Sequence, residues 1–380
     1  MSAVVLPGGR RLVLRGGRAP AVFEPARSRA AYAAAHVVAD PLAENVPGAP
    51  AVLDWDATLA FRHHLWRHGL GVAEAMDTAQ RGMGLDYPVV RELVRRSASE
   101  ARSVGGRIVA GVATDQLSGP ATLAQVLEAY REQLADVVSA GAVPVLMCSR
   151  HLAAAARGPE DYLSVYSALL SEVDSPALLH WLGPMFDPAL AGYWGSVDPS
   201  AAADTVLSLV KEHAPRIDGI KLSLLDDSVE VALRRRLPAG VRMYTGDDYN
   251  YPALIEGDAT GHSDALLGVF AAIAPVAARA LAALDAGSVA SFRALLDSTV
   301  PLARHLFAPP TRFYKTGIVF LSWLAGHQDH FTMVGGLQSG RSAVHCGELV
   351  VLADEAGLLP DAALATARAR AFFATCGVEQ

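Results

Sequence analysis

Short apolar runs alternate with longer amphipathic segments along most of this chain. A short apolar run bounded by turn residues predicts a buried strand, and apolar residues that recur every three or four positions predict a helix. The predicted strands are Ala51–Trp55, Val72–Met76, Arg107–Val112, Val143–Cys148, Ala177–Trp181, Gly219–Leu222, Val241–Thr245 and Asp264–Val269.

Strands that alternate with helices predict a parallel sheet, because a helix carries the chain back between parallel neighbours. Eight such units within about 230 residues fit a (β/α)8 TIM barrel better than an open sheet. No Gly-x-Gly-x-x-Gly motif follows the first predicted strand, which disfavours a dinucleotide-binding fold.

The eight strand–helix units divide the chain into three predicted parts. Residues 1–48 form an N-terminal extension, in which the apolar run at 12–14 lies between two Gly-Gly pairs and predicts a small hairpin. Residues 49–285 form the barrel. Residues 286–380 show helical periodicity and predict a set of C-terminal helices.

Composition removes several classes of function. The net charge of −7 argues against a general nucleic-acid surface. The three cysteines have neither disulfide nor metal spacing, and no run of 18 apolar residues predicts a membrane span. We expect a cytoplasmic protein that acts on a small molecule and requires neither a cofactor nor a metal.

One lysine stands out because the chain contains only three, Lys211, Lys221 and Lys315. Lys221 lies in the predicted strand at 219–222. A buried ammonium is costly unless it is paired or deprotonated. A desolvated lysine with a lowered pKa attacks carbonyl groups and forms a Schiff base. The alternative is a strand-end lysine that reaches solvent.

Polar residues recur at the ends of the predicted strands, where barrel enzymes place their chemistry. Some have structural alternatives: Asp77 and Thr78 could cap a helix, and His180 could be a core residue. Arg150 could pair with a neighbouring carboxylate or bind an anionic substrate. The candidate residues are Asp54, Asp77, Thr78, Arg150, His180, Lys221, Gly246, Asp247, Asp248 and His262.

The segments Gly219-Ile220-Lys221 and Thr245-Gly246-Asp247-Asp248 resemble the Schiff-base strand and the next strand of the dihydrodipicolinate synthase/N-acetylneuraminate lyase family. Gly82–Leu85 and Ala142–Val145 match further segments in order. The resemblance extends over about residues 50–375 and is greatest to the uncharacterised DUF993 branch. It implies a barrel with C-terminal helices, a homo-oligomer (dimer or tetramer), and an imine between Lys221 and an α-keto acid.

The chain departs from that family at positions that matter for the substrate. Trp181 stands in place of the proton-relay tyrosine, and Phe186 in place of the arginine that holds the substrate carboxylate. Of the family's two loop threonines only Thr78 is present. Arg150 or Arg81 could replace the lost cation.

The sequence therefore predicts a class I lyase or aldolase for a keto acid or a keto-sugar-like compound. Lys221 would be the nucleophile, with His180 or Thr78 as the proton carrier. The residues predicted to bind substrate are Asp54, Asp77, Arg150, Gly246, Asp247, Asp248 and His262. Two alternatives remain open: a metal-dependent sugar isomerase or epimerase, with ligands from Asp54, His180, Asp247 and His262, and a ligand-binding barrel without catalysis.

Overall fold

The computed structural model describes residues 3–17 and 21–380, and its central feature is a closed barrel of eight parallel strands. The strands are β1 Val4–Val5, β2 Arg11–Leu12, β3 Ala31–Ala34, β4 Gly71–Glu74, β5 Ile108–Val112, β6 Val143–Met147, β7 Ala177–Leu182, β8 Ile217–Ser223, β9 Arg242–Thr245 and β10 Asp264–Leu267. In the barrel β3 to β10 follow one another in chain order, and β10 closes against β3. The predicted (β/α)8 fold is confirmed.

Helices connect the barrel strands and continue beyond the last of them. They are α1 Trp55–Arg67, α2 Tyr87–Val104, α3 Leu123–Ala140, α4 Arg150–Ala155, α5 Pro159–Glu172, α6 Pro199–Glu212, α7 Asp227–Arg234, α8 Tyr251–Glu256, α9 Phe270–Asp285, α10 Val289–Asp297, α11 Val300–Leu306, α12 Tyr314–Leu324, α13 Ala343–Glu355 and α14 Ala362–Thr375. No helix among residues 3–17 and 21–380 is long and apolar enough to cross a membrane.

Local sequence signals set the ends of these helices. Thr122 and Gln125 form a capping box at the start of α3, and Gly141 ends that helix with a φ of 83°. A side-chain oxygen at the N-cap satisfies a free backbone N–H, and glycine adopts the left-handed conformation at little cost. The chain therefore turns back toward β6 directly after α3.

The first barrel strand is not the one that the sequence predicted. β3 pairs with β4 and β10, whereas Leu53 makes only an isolated antiparallel bridge with Ala39. The next residue, Asp54, is the N-cap of α1, which ends the extended segment. β3 consists of Ala-Tyr-Ala-Ala and lacks the β-branched residues typical of strands, so its sequence gives little strand signal. The barrel thus begins before the predicted boundary at residue 49.

The interior of the barrel is filled from alternate positions of the strands. Val109, Val145, Leu178, Tyr244 and Leu266 form one buried cluster, separate from the larger core between the strands and the helices. Both faces of each strand are therefore buried, as expected for a parallel sheet covered by helices. His180, two positions beyond Leu178 on β7, and its partner Lys221 on β8 extend this interior toward the carboxyl ends of the strands.

The N-terminal hairpin packs against the end of the chain. β1 and β2 pair antiparallel, with Val4 opposite Leu12. The side-chain amide of Gln380 exchanges hydrogen bonds with the backbone of Val5, and Arg15 pairs with Asp354 on α13. Residues 1–2 and 18–20 of the predicted extension lie outside the described residues.

A buried ion pair joins α1 to the barrel. Arg62 donates to both carboxylate oxygens of Glu74, at 2.8 and 2.7 Å, and neither side chain is exposed.

Replacing Arg62 with leucine would leave the Glu74 carboxylate buried and unpaired, so we expect a loss of about 3–5 kcal/mol in the free energy of unfolding. Urea unfolding of the variant and the wild type measures this loss. Arg95→Leu, which removes an exposed bridge to Glu92, should change the midpoint little; equal losses in both variants would contradict the prediction.

Candidate active site

Lys221 lies inside the barrel near the carboxyl end of β8. Its Cα is in register with His180 on β7 and with Tyr244 on β9, and Tyr244 belongs to the interior cluster. The Lys221 side chain is only 4% exposed. The structure thus shows this lysine on the sixth barrel strand, as predicted, and its side chain faces the barrel interior.

No carboxylate among residues 3–17 and 21–380 forms an ion pair with Lys221. Burial lowers the pKa of its amine, while the charges of Asp77 and Asp248 act in the opposite direction. Burial also raises the pKa of Asp248 well above its ordinary value. Both effects favour a neutral amine beside a neutral carboxyl group, which avoids two buried charges. A neutral lysine is the form that attacks a carbonyl.

Gly246, directly after β9, makes room for the Lys221 side chain. A Cβ atom at this position would collide with Ser223 Oγ and lie 2.8 Å from Lys221 Cε. The glycine is therefore needed for the close approach of two strand ends.

Gly246→Ala is expected to displace the Lys221 side chain, because the contact is too short for a methyl group. We expect a destabilisation of about 1–3 kcal/mol from overpacking, together with loss of any reaction at Lys221. Thermal unfolding and ketone trapping measure the two effects. Gly158→Ala is the matched control, since its Cβ would meet nothing within 4 Å. A variant that traps ketones like the wild type would refute the need for glycine.

The two aspartates that follow Gly246 have different surroundings. Asp247 accepts hydrogen bonds from the backbone N–H groups of Tyr249 and Asn250 and from the Asn250 side chain, so its carboxylate organises the turn. Asp248 accepts one hydrogen bond, from the backbone N–H of Val269 at 2.8 Å, and acts electrostatically on Lys221. Of the two aspartates, Asp248 is therefore the one that acts electrostatically on Lys221.

A tyrosine from the C-terminal helices completes the group around Asp77. The Tyr314 hydroxyl at the start of α12 donates to Asp77 Oδ2 at 2.6 Å and lies 2.7 Å from Thr78 Oγ1. Gly268, after β10, permits this packing, because a Cβ there would lie 3.1 Å from the Tyr314 ring. Sequence reasoning missed Tyr314, since it follows no strand.

His180 is buried beside Lys221. Its Nε2 atom lies 3.2 Å from Ser223 Oγ, and its Nδ1 atom has no hydrogen-bond partner among the described residues. Burial, and secondarily the nearby Lys221, lower the pKa of His180 well below its usual range. The imidazole is therefore neutral and a weak proton acceptor. Its neighbour Trp181 belongs to the core between the strands and the helices.

A cavity of about 340 Å³ lies at the carboxyl ends of β4 to β7. Lys221 does not line it, whereas Asp77 does and also acts on Lys221. The lining charged and polar groups are Asp77, Arg81, Thr114, Asp115, Ser149, Arg150, His151, Asp187 and Lys315.

Two arginines of the lining are already paired. Arg81 donates to Asp115 at 2.6 Å, and Arg150 donates to Asp187 at 2.5 Å. Phe186, which stands where an arginine was expected in the related family, is buried with its ring edge-on to that of Tyr314. Neither predicted replacement cation is therefore unpaired, and Lys315 becomes the third candidate.

Two predicted site residues lie elsewhere. Asp54 caps α1 by accepting from the backbone N–H of Ala57 and does not line the cavity. His262 precedes β10 and so lies at the amino end of the barrel, near Asp264. Its placement in the site was wrong, because a residue before a parallel strand lies at the opposite end from residues after it. The predicted alternative metal set of Asp54, His180, Asp247 and His262 is therefore not assembled, and the described residues contain no group of three or more metal-binding side chains.

A family model described as "Protein of unknown function (DUF993)" matches residues 13–378. No curated protein matches the chain.

Solved structures of the dihydrodipicolinate synthase type share the fold. A putative dihydrodipicolinate synthetase from Pseudomonas aeruginosa has a TM-score of 0.65 at 17% identity, covering 86% of this chain and 99% of its own. A prophage protein of the dihydrodipicolinic acid synthase family from E. coli K12, solved with pyruvate, has a TM-score of 0.66 at 15% identity, covering 87% and 99%. A synthase from Thermotoga maritima has 0.63 at 16%, covering 87% and 99%.

Proposed function

Because the chain belongs to the DUF993 family and folds like the dihydrodipicolinate synthases, we propose that it is a class I lyase or aldolase whose Schiff base forms on Lys221. The observation that carries the proposal is the amine itself. It is buried inside the barrel, near the carboxyl end of the sixth barrel strand, and has no ion-pair partner in the described part of the chain.

The proposed reaction begins with attack of the neutral Lys221 amine on a ketone carbonyl. The carbinolamine loses water and gives an iminium ion, which withdraws electrons from the neighbouring carbon. In C–C cleavage, the bond from that carbon to a hydroxyl-bearing carbon breaks: its electron pair forms the enamine, and the hydroxyl loses its proton as the second fragment leaves as an aldehyde. In C–O cleavage, that carbon first loses a proton to give the enamine, whose electron pair then expels the hydroxyl of the next carbon as water and leaves an unsaturated iminium for hydrolysis. Protonation of the enamine carbon and addition of water release the ketone and regenerate the amine. The reverse sequence forms the bond.

The hydrogen-bonded group of Asp77, Thr78 and Tyr314 is the proposed proton carrier. Its phenol lies between a threonine hydroxyl and a carboxylate, so a proton can pass along short hydrogen bonds. Burial raises the pKa of Tyr314 well above its ordinary value, so the phenol stays protonated and would pass a proton by accepting one hydrogen bond while it donates the other, without ionising. His180, the earlier candidate, is less suited because its lowered pKa makes it a poor base.

Reductive trapping tests the proposal without knowledge of the natural substrate. The protein is incubated with pyruvate, longer 2-oxo acids or dihydroxyacetone, reduced with borohydride, and weighed by intact mass spectrometry. We expect one reduced adduct per chain with at least one of these ketones. A folded protein that binds ketones but gives no adduct would instead support the ligand-binding barrel without catalysis.

A further inference from the structure

Lys315 is the second residue of α12 and faces the cavity. Its side chain is only 2% exposed, and most of the other residues of this helix are apolar. Of the other two lysines, Lys211 is exposed and Lys221 lies on β8. A charged residue in this position needs an explanation, because burial of an ammonium is costly.

No carboxylate of the described residues forms an ion pair with this ammonium, although Asp77 and Asp187 act on it from farther away. The hydrogen-bond partner of Lys315 Nζ is the thioether sulfur of Met83 at 3.3 Å, and Nζ lies 5.5 Å from the centroid of the Tyr314 ring. A sulfur atom is a weak acceptor and does not neutralise a charge. The two cavity arginines, by contrast, each hold an aspartate. Arg150 uses only its Nε in that pair and is half-exposed, so its terminal nitrogens face the open side of the cavity. Lys315 is therefore the buried cation of the lining that has no carboxylate partner among the described residues.

Charged groups around Lys315 act in both directions. Asp77 and Asp187 favour its protonated form and Arg150 opposes it, while burial is the largest effect and lowers the pKa to about 8. At neutral pH the ammonium form is therefore still the major one. An anion that enters the cavity would stabilise that form further and raise the pKa.

We propose that Lys315 binds a carboxylate of the substrate in the cavity at the carboxyl ends of β4 to β7. The proposal rests on the proposed function, and it assigns the role of the missing family arginine to α12. A singly charged carboxylate suits the site better than a phosphate, because Asp77 and Asp187 also line it and repel a dianion more strongly. The substrate class is then a ketone that carries a carboxylate, not a neutral keto sugar.

The test uses carboxylates that cannot form an imine. Propionate, butyrate and inorganic phosphate are titrated into the full-length protein and followed by ligand-observed NMR, with neutral hydroxyacetone for comparison. We expect Lys315→Met to weaken carboxylate binding about 10- to 100-fold, the effect of losing a charge-assisted hydrogen bond. Lys211→Met, the same change at an exposed lysine, should leave binding unchanged, and hydroxyacetone binding should be equal in all proteins.

The pH profile separates a binding role from a structural one. Because only the ammonium form binds the ionised carboxylate, carboxylate affinity should be constant between about pH 6 and pH 8 and fall toward tenfold per unit above pH 8. In Lys315→Arg the fall should disappear, since the guanidinium stays charged.

Three results would overturn the proposal: no carboxylate binds the wild type, phosphate alone binds, or folded Lys315→Met binds carboxylates normally. None of these depends on imine formation. Failure of the Schiff-base proposal is seen separately, as absence of a reduced ketone adduct.

Discussion

Lys221→Met is expected to abolish reductive ketone trapping and to lower lyase or aldolase turnover by about a thousandfold or more. Methionine is close to lysine in length and is apolar, so it suits a side chain that is 4% exposed inside the barrel. Loss of the amine removes the nucleophile while the packing is kept. Intact mass spectrometry measures trapping of the ketone that the wild type traps, and steady-state kinetics measure the addition of that ketone to an aldehyde acceptor.

Lys211→Met is the matched control for this substitution, because Lys211 is exposed near the end of α6, which leads into the amino end of β8 and so lies away from the carboxyl ends of the strands. The control should trap and turn over the ketone like the wild type. If folded Lys221→Met retained wild-type turnover, another residue would have to provide the nucleophile.

Tyr314→Phe is expected to lower kcat by about 10²- to 10⁴-fold, the usual contribution of a positioned general acid or base. The substitution removes the hydroxyl that joins Asp77 Oδ2 to Thr78 Oγ1 and keeps the ring that stacks on Phe307. Because Lys221 is untouched, borohydride should still trap the imine once it has formed. Loss of turnover with trapping retained therefore identifies a proton-transfer defect.

Tyr251→Phe provides the control for the tyrosine. Tyr251 is also fully buried and its hydroxyl also pairs with a threonine, Thr299, but it lies on α8 and has no hydrogen bond to Asp77. Tyr251→Phe loses one buried hydrogen bond, to Thr299, whereas Tyr314→Phe loses two, to Thr78 and Asp77, so thermal unfolding of both variants measures the effect on stability separately from turnover. Equal loss of turnover in both would show that Tyr314 acts only through the fold.

Seven of the eight barrel strands could be predicted from the sequence because they are short apolar runs, most of them containing β-branched residues. β3 could not, since its alanines carry no strand preference and its pairing is set by β4 and β10, far away in sequence. The apolar run at 51–53 fitted the pattern of a strand, although Val52 is exposed in the structure. Tertiary contacts and the cap at Asp54 decided against it.

The part of the site that follows strands was predictable, and the part that comes from the C-terminal helices was not. Lys221 and Asp248 meet because parallel strands bring their carboxyl ends together. Tyr314 and Lys315 enter from α12, about 90 residues beyond Lys221, and no local pattern states where that helix docks. The one sequence signal for this part of the site was Lys315, a single lysine in a helix that is mostly apolar.

Two further predictions from the sequence concern assembly and location. That the protein is a homo-oligomer and that it is cytoplasmic both stay predictions. The proposed carboxylate at Lys315 narrows the small-molecule partner to a keto acid, so it decides between the two substrate classes that the sequence left open.

Location of the reduced adduct tests the central claim most directly. The chain contains three lysines, Lys211, Lys221 and Lys315, and protease digestion followed by peptide mass spectrometry distinguishes them. With a trapped 2-oxo acid, we predict the reduced adduct on the peptide that contains Lys221 and none on the other two. An adduct on Lys315 or Lys211 instead, or no adduct with any ketone in folded protein, would contradict the assignment of Lys221 as the Schiff-base residue.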